Sequence, residues 1–192
     1  MKYLLCLVIL FALNSHAALI DFEGQLDGTS LLSQYPSITF SHTTVLTAGL
    51  SLNEFDFPPK SGANAVFDDG GPIGISFAAP VLSFSGYFTY TTRVNLSFYD
   101  ALSHLLGTVS SAYANNTGGG AGDPFSSPNE FLSYSSASGI ASVIAQGDLA
   151  GGSLVLDDLS YQASAGSGVP EPATVLTTLA TLMVVVLRRR AQ

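Results

Sequence analysis

Residues 81–90 read VLSFSGYFTY. Leu82, Phe84, Phe88 and Tyr90 fall on one parity and Ser83, Ser85 and Thr89 on the other, the two-residue period of a strand with one buried face. The following run, RVNLSFY at 93–99, repeats the pattern with Val94, Leu96 and Phe98 inward, and the Thr91-Thr92 link predicts a hairpin between the two. Tyr87 and Tyr99 then point outward. Further short β-branched or aromatic runs occur at 19–23, 38–47, 63–67, 73–77, 105–110, 131–135, 140–146 and 154–161, separated by Gly, Pro, Asp and Asn. Nothing between residues 18 and 163 sustains a helical period. Some ten strands at this spacing predict an all-β antiparallel sandwich, of the jelly-roll kind.

Outside that body the chain changes character. Met1 and Lys2 precede an apolar core at 3–13, and Ser15-His16-Ala17 offers small residues where a signal peptidase cuts, so residues 1–17 read as a secretory signal peptide. The one cysteine, Cys6, lies inside that core, which leaves the mature chain without a thiol. Disulfides, cysteine metal sites and thiol catalysis are thereby excluded. Residues 164–168 read as a flexible linker.

The chain closes with VPEPATVLTTLATLMVVVLRRRAQ. As a helix, residues 173–187 would span roughly 22 Å at about 1.5 Å per residue, against about 30 Å of hydrocarbon. Snorkelling of Arg188, Arg189 and Arg190 makes up part of the difference, and those arginines fix the orientation: tail cytoplasmic, body outside. Two prolines keep the preceding segment extended and accessible. This order of Pro-Glu-Pro, short apolar helix and Arg cluster resembles the PEP-CTERM sorting signal of Gram-negative bacteria that export exopolysaccharide. The resemblance covers residues 169–192. It implies that Val169, Pro170, Glu171 and Pro172 are read by an exosortase, that 173–187 is a transient inner-membrane anchor, and that Arg188 to Arg190 are stop-transfer charges. The body would then finish at the outer surface or outside the cell.

The body carries two cations, Lys60 and Arg93, against thirteen carboxylates, a formal charge near −11. A surface that acidic disfavours nucleic acid as a partner and favours cations. Asp21 and Glu23 near its start and Asp157 and Asp158 near its end would come together if the first and last strands lie side by side, supplying the oxygen ligands that Ca²⁺ prefers. Catalytic sets are sparse. Two histidines remain, His42 and His104, both read as surface residues, and there is no nucleophile elbow. Glu54 and Asp56 would share a face on a strand, as a glycoside hydrolase pair requires, but Pro58-Pro59 follow at once and favour a loop. Outward tyrosines such as Tyr87 and Tyr99 offer platforms for sugars, although the chain has no Trp.

The residues thus point to an exported surface or matrix protein, not an enzyme, whose β-sandwich associates with exopolysaccharide. A secreted glycan-active hydrolase and a permanently inner-membrane-anchored periplasmic protein are the alternatives.

Overall fold

A computed structural model describes residues 17–163. The sorting residues Val169 to Pro172, the apolar run and Arg188 to Arg190 lie outside the described residues, as does nearly all of the signal peptide. Within the described span run the strands β1 (Ala17–Ile20), β2 (Ile38–Ser41), β3 (Thr43–Thr47), β4 (Asn64–Asp68), β5 (Ile73–Tyr90), β6 (Asn95–Tyr99), β7 (Leu105–Ser110), β8 (Glu130–Gln146) and β9 (Leu154–Ala163). All their pairings are antiparallel, and no helix occurs among the described residues. The all-β antiparallel expectation therefore holds.

The two long strands organise everything else. The first part of β5 lies between β2 and the second part of β8, which in turn pairs with β6, and β6 with β7. The later part of β5 lies between the first part of β8 and β9, and β9 is flanked on its other side by β1 and β4, with β3 at the edge. One ladder thus serves two layers, and the layers meet face to face. Phe84 on β5 and Tyr134 on β8 belong to the second set and Phe98 on β6 to the first. Yet the Phe84 and Phe98 centroids are 5.8 Å apart, and Phe98 stacks on Tyr134 at 4.4 Å. Around these rings Ile75, Phe88, Leu96, Ile140, Val143 and Leu156 are fully buried. Each such side chain contributes about 1.5–3 kcal/mol of burial free energy.

The long strands change layer at two bends. In β5 the register shifts between Ser76 and Val81 and again between Val81 and Ser83, so Pro80, which has no N–H to give a ladder, stands where the ladder is interrupted. Across from it Gly139 has φ +82°, and a Cβ there would lie 2.8 Å from Pro80 Cβ.

Several local expectations are corrected. The runs at 73–77 and 81–90 are one strand, as are those at 131–135 and 140–146, because each bend bulges the ladder without ending it. The bulge at 81–83 also reverses the parity: Val81 is buried and Leu82 half-buried, while Phe84 and Phe88 stay inward. The run 38–47 is two strands, divided at His42, whose φ is +53°. β5 and β6 form no hairpin, since β8 lies between them. Instead, Thr91 N–H donates to Ser153 O and Tyr90 N–H to Asn116 Oδ1, committing the end of β5 to other segments.

Residues 114–129, rich in Gly, Asn and Pro, form a loop pinned from below. Asn116 is fully buried; its amide also donates to Phe88 O and Ser127 O, and the Asp123 carboxylate accepts from Ala114 and Asn115 N–H. One amide gives what the glycines lack.

Replacing Gly139 by Ala should destabilise the protein by about 1–2 kcal/mol for the left-handed conformation alone, with a further loss from displacing Pro80. Gly120, with φ +84° but no atom within 4 Å of its would-be Cβ, should show the conformational loss only. Urea unfolding of the two variants measures the difference.

Candidate functional site

Residues directly opposite one another in an antiparallel pair project from the same face. On the outward face of the β1–β9–β5–β8 layer the register therefore aligns Leu19, Ser160, Ser85 and Ser133 in one row and Ala17, Gln162, Ser83 and Ser135 in the next. Neither row contains a charged residue. A third row carries Asp157, Tyr87 and Phe131. There the Tyr87 and Phe131 rings lie 5.2 Å apart at 52°, and Phe131 is 54% exposed. The result is a hydroxyl-rich sheet surface ending in a paired aromatic step.

A wall closes this step on one side. Leu46 of β3 together with Ala48, Phe57 and Phe67 of the following segment, residues 48–67, packs against Leu52, Ala65 and Val155, a small apolar cluster on the outside of the sheet. The same segment carries Lys60, whose Nζ sits 4.4 Å from the Tyr87 centroid.

The wall is held by carboxylates. Asp157 Oδ2 accepts from Lys60 N–H at 2.7 Å and Ser61 N–H at 3.0 Å, while its Oδ1 accepts from Asp158 N–H. Asp158 accepts from the Ser61 hydroxyl at 2.8 Å, and Glu23 Oε1 from Ala63 and Asn64 N–H at 2.9 and 2.7 Å. Asp21 accepts from Glu23 N–H. These are the four acids expected to bind calcium. The terminal strands do lie side by side, and three of the four acids reach the same short segment, but they take N–H and O–H donors from it. Among the described residues no three His, Cys, Asp or Glu side chains are grouped to hold a metal ion. Asp157 has both oxygens, and each of the other three acids one oxygen, occupied by donors the sequence pattern could not locate.

Asp157 is nearly fully buried, and burial pushes its carboxyl up to about 6, with the backbone N–H donors pulling in the opposite direction. Asp68, also buried, is raised for the same reason and accepts from Ser153 and Leu154 N–H.

The remaining candidates are dispersed. Glu54 and Asp56 sit in a turn and serve it: Glu54 accepts from Gly49 N–H and Asp56 from the Asn53 amide. Backbone N–H donors hold the Glu54 carboxyl below its ordinary value, the reverse of what a glycosidase general acid needs. His42 and His104 are at the surface, His104 against Asp100. Tyr99 faces outward on the opposite layer in a row with Thr39, Ser76 and Ser142, and makes no ring contact among the described residues. Near that row an open cleft of ≈ 310 Å³ is lined by Tyr35, Pro36, Thr39, Ser76 and Phe77. Phe131 and Lys60 were not legible as site residues. In FLSYS both parities carry an aromatic, so alternation alone does not say which of Phe131 and Tyr134 faces out.

No family model matches the chain, and no curated protein matches it. Solved structures of similar shape exist. The K2 cleaved adhesin domain of Lys-gingipain matches with a TM-score of 0.47 and 13% identity over 76% of this chain and 99% of that one. A DUF4465 family protein from Bacteroides caccae matches at 0.46 and 10% identity over 78% and 100%. A family 29 carbohydrate-binding module matches at 0.40 and 11% identity over 82% and 96%. At these scores they are likenesses in shape and carry no further argument.

The pH dependence of stability should expose Asp157. Its folded pKa lies above its unfolded one, so the native state binds the extra proton and the contribution of Asp157 to stability falls as pH rises from about 4 to about 6, then levels. The melting temperature of Asp157→Asn, which loses acceptor capacity but cannot titrate, should therefore gain on that of the wild type across this window; a constant difference would refute the assignment.

Proposed function

We propose that this is an exported, non-enzymatic surface or matrix protein whose body, a jelly-roll sandwich, associates with exopolysaccharide. The observation that carries the reading is the outward face of the β1–β9–β5–β8 layer: two uncharged rows of serine and amide side chains leading to the Tyr87–Phe131 step. A sugar needs an apolar surface for its ring and donors and acceptors for its hydroxyls. This face offers both, side by side, on rigid strands.

The strand orders support the sandwich. β1–β9–β5–β8 in one layer and β2–β5–β8–β6–β7 in the other, with β5 and β8 shared, is the kind of order expected of two interlocked Greek keys. Export rests on the signal peptide read in residues 1–17, and a transient inner-membrane anchor with recognition of Val169 to Pro172 by an exosortase rests on the sequence resemblance of the tail. They agree with a body that has no thiol to oxidise.

Two measurements test the reading. A glycan array and immobilised polysaccharides should reveal binding, and Phe131→Ala should weaken it about tenfold, the loss of about 1.4 kcal/mol for an aromatic contact, with the protein still folded and its melting temperature lowered only slightly by loss of the Tyr87 contact. Silence on every glycan would refute it. Mass spectrometry of the exported protein should find a C-terminus that lacks the Arg188–Arg190 tail; an intact Arg tail would refute the processing step and favour permanent anchoring.

A further inference from the structure

The body has two basic side chains and uses them differently. Arg93 Nη1 donates to Ser111 O and is spent on the fold. Lys60 ties down its loop through its backbone N–H, yet its ammonium forms no ion pair among the described residues, in a body with thirteen carboxylates. It rests over the Tyr87 ring, 4.4 Å from the centroid, beside the exposed Phe131.

We infer that this platform selects glycans that carry carboxylate groups, with Lys60 pairing to the carboxylate of a uronic acid residue while the sugar ring lies on Phe131. The inference rests on the glycan reading above and names the class of sugar. Three observations carry it. Of the neighbouring acids, Asp157 has both oxygens engaged, by the Lys60, Ser61 and Asp158 N–H groups, and Asp158 accepts from the Ser61 hydroxyl; both hold the lysine's segment, and neither forms an ion pair with its ammonium. The ring contact orients the ammonium without satisfying its three N–H donors, which stay available to an acceptor from solvent. The serine rows beside the step contain no carboxylate to repel an anion.

The net charge of the body is not an objection. Fields between exposed charges decay over about 8 Å at physiological ionic strength, so the local sign at the platform decides which chain docks.

The test uses the full chain with immobilised polygalacturonate and a neutral galactan as probes. The wild type should be retained more strongly by polygalacturonate, and added salt should reduce the preference. Lys60→Gln should cut this preference, the ratio of retention on polygalacturonate to that on galactan, about threefold, within the range of an exposed ion pair. Lys60→Arg should keep the preference. An unchanged preference in Lys60→Gln, or equal retention on both probes, overturns the inference. If Phe131→Ala loses both probes while Lys60→Gln alters neither, the glycan reading stands and this one falls. Retention on neither probe by the wild type overturns this selectivity, whereas the glycan reading falls only with silence across the array.

Discussion

The constraint on which this structure depends is the bent ladder shared by β5 and β8. Most two-layer β proteins must cross between layers through loops, with the backbone polar groups of each crossing satisfied separately. Here the same pair of strands remains hydrogen-bonded on both sides of the bend. The cost is concentrated at one corner, where Pro80 interrupts the ladder and Gly139 takes a conformation that other residues resist. Phe84, Phe98 and Tyr134 then converge from both layers, so the corner and the core require each other.

The acidic residues do a second kind of structural work. With hardly any basic side chains to pair with, carboxylates, buried and exposed alike, find their partners in backbone N–H groups. Asp68 secures the turn before β9, Asp157 and Glu23 secure the segment that carries Lys60, and Asp123 secures the loop above Asn116. A carboxylate with several N–H donors is well solvated by the protein itself, which makes burial of Asp68 and Asp157 tolerable. The same bonds bear on the calcium expectation: at Glu23, Asp157 and Asp158 at least one oxygen that a cation would use already accepts a donor from the loop these acids shape.

How far the sequence could be read follows from the range of each signal. Alternation is local, so strand existence and the inward facing of Phe84, Phe88, Leu96 and Phe98 were legible. A bulge changes parity by one residue without changing composition, which is why Val81 and Leu82 exchanged roles. The supposed hairpin failed because tight links are read from neighbouring residues, whereas the partner of β5 is set by β8, some forty residues away. Pairing of β1 with β9 was anticipated from the chain ends. What Asp157 binds was not, since Lys60 and Ser61 are nearly a hundred positions distant. At the platform Tyr87 could be placed by parity, but its pairing with Phe131 and its contact with Lys60 depend on long-range register.

One feature of the pairing bears on how such a body would withstand pulling. β9 is the last described strand, and it is flanked on both sides, by β5 along one edge and by β1 and β4 along the other. A force drawn through the chain beyond Ala163 runs along β9 itself, so both of its ladders resist together in shear instead of opening one bond at a time. A domain gripped by its neighbours at one end and tugged through that strand would yield late, a useful property for anything tethered in a moving matrix.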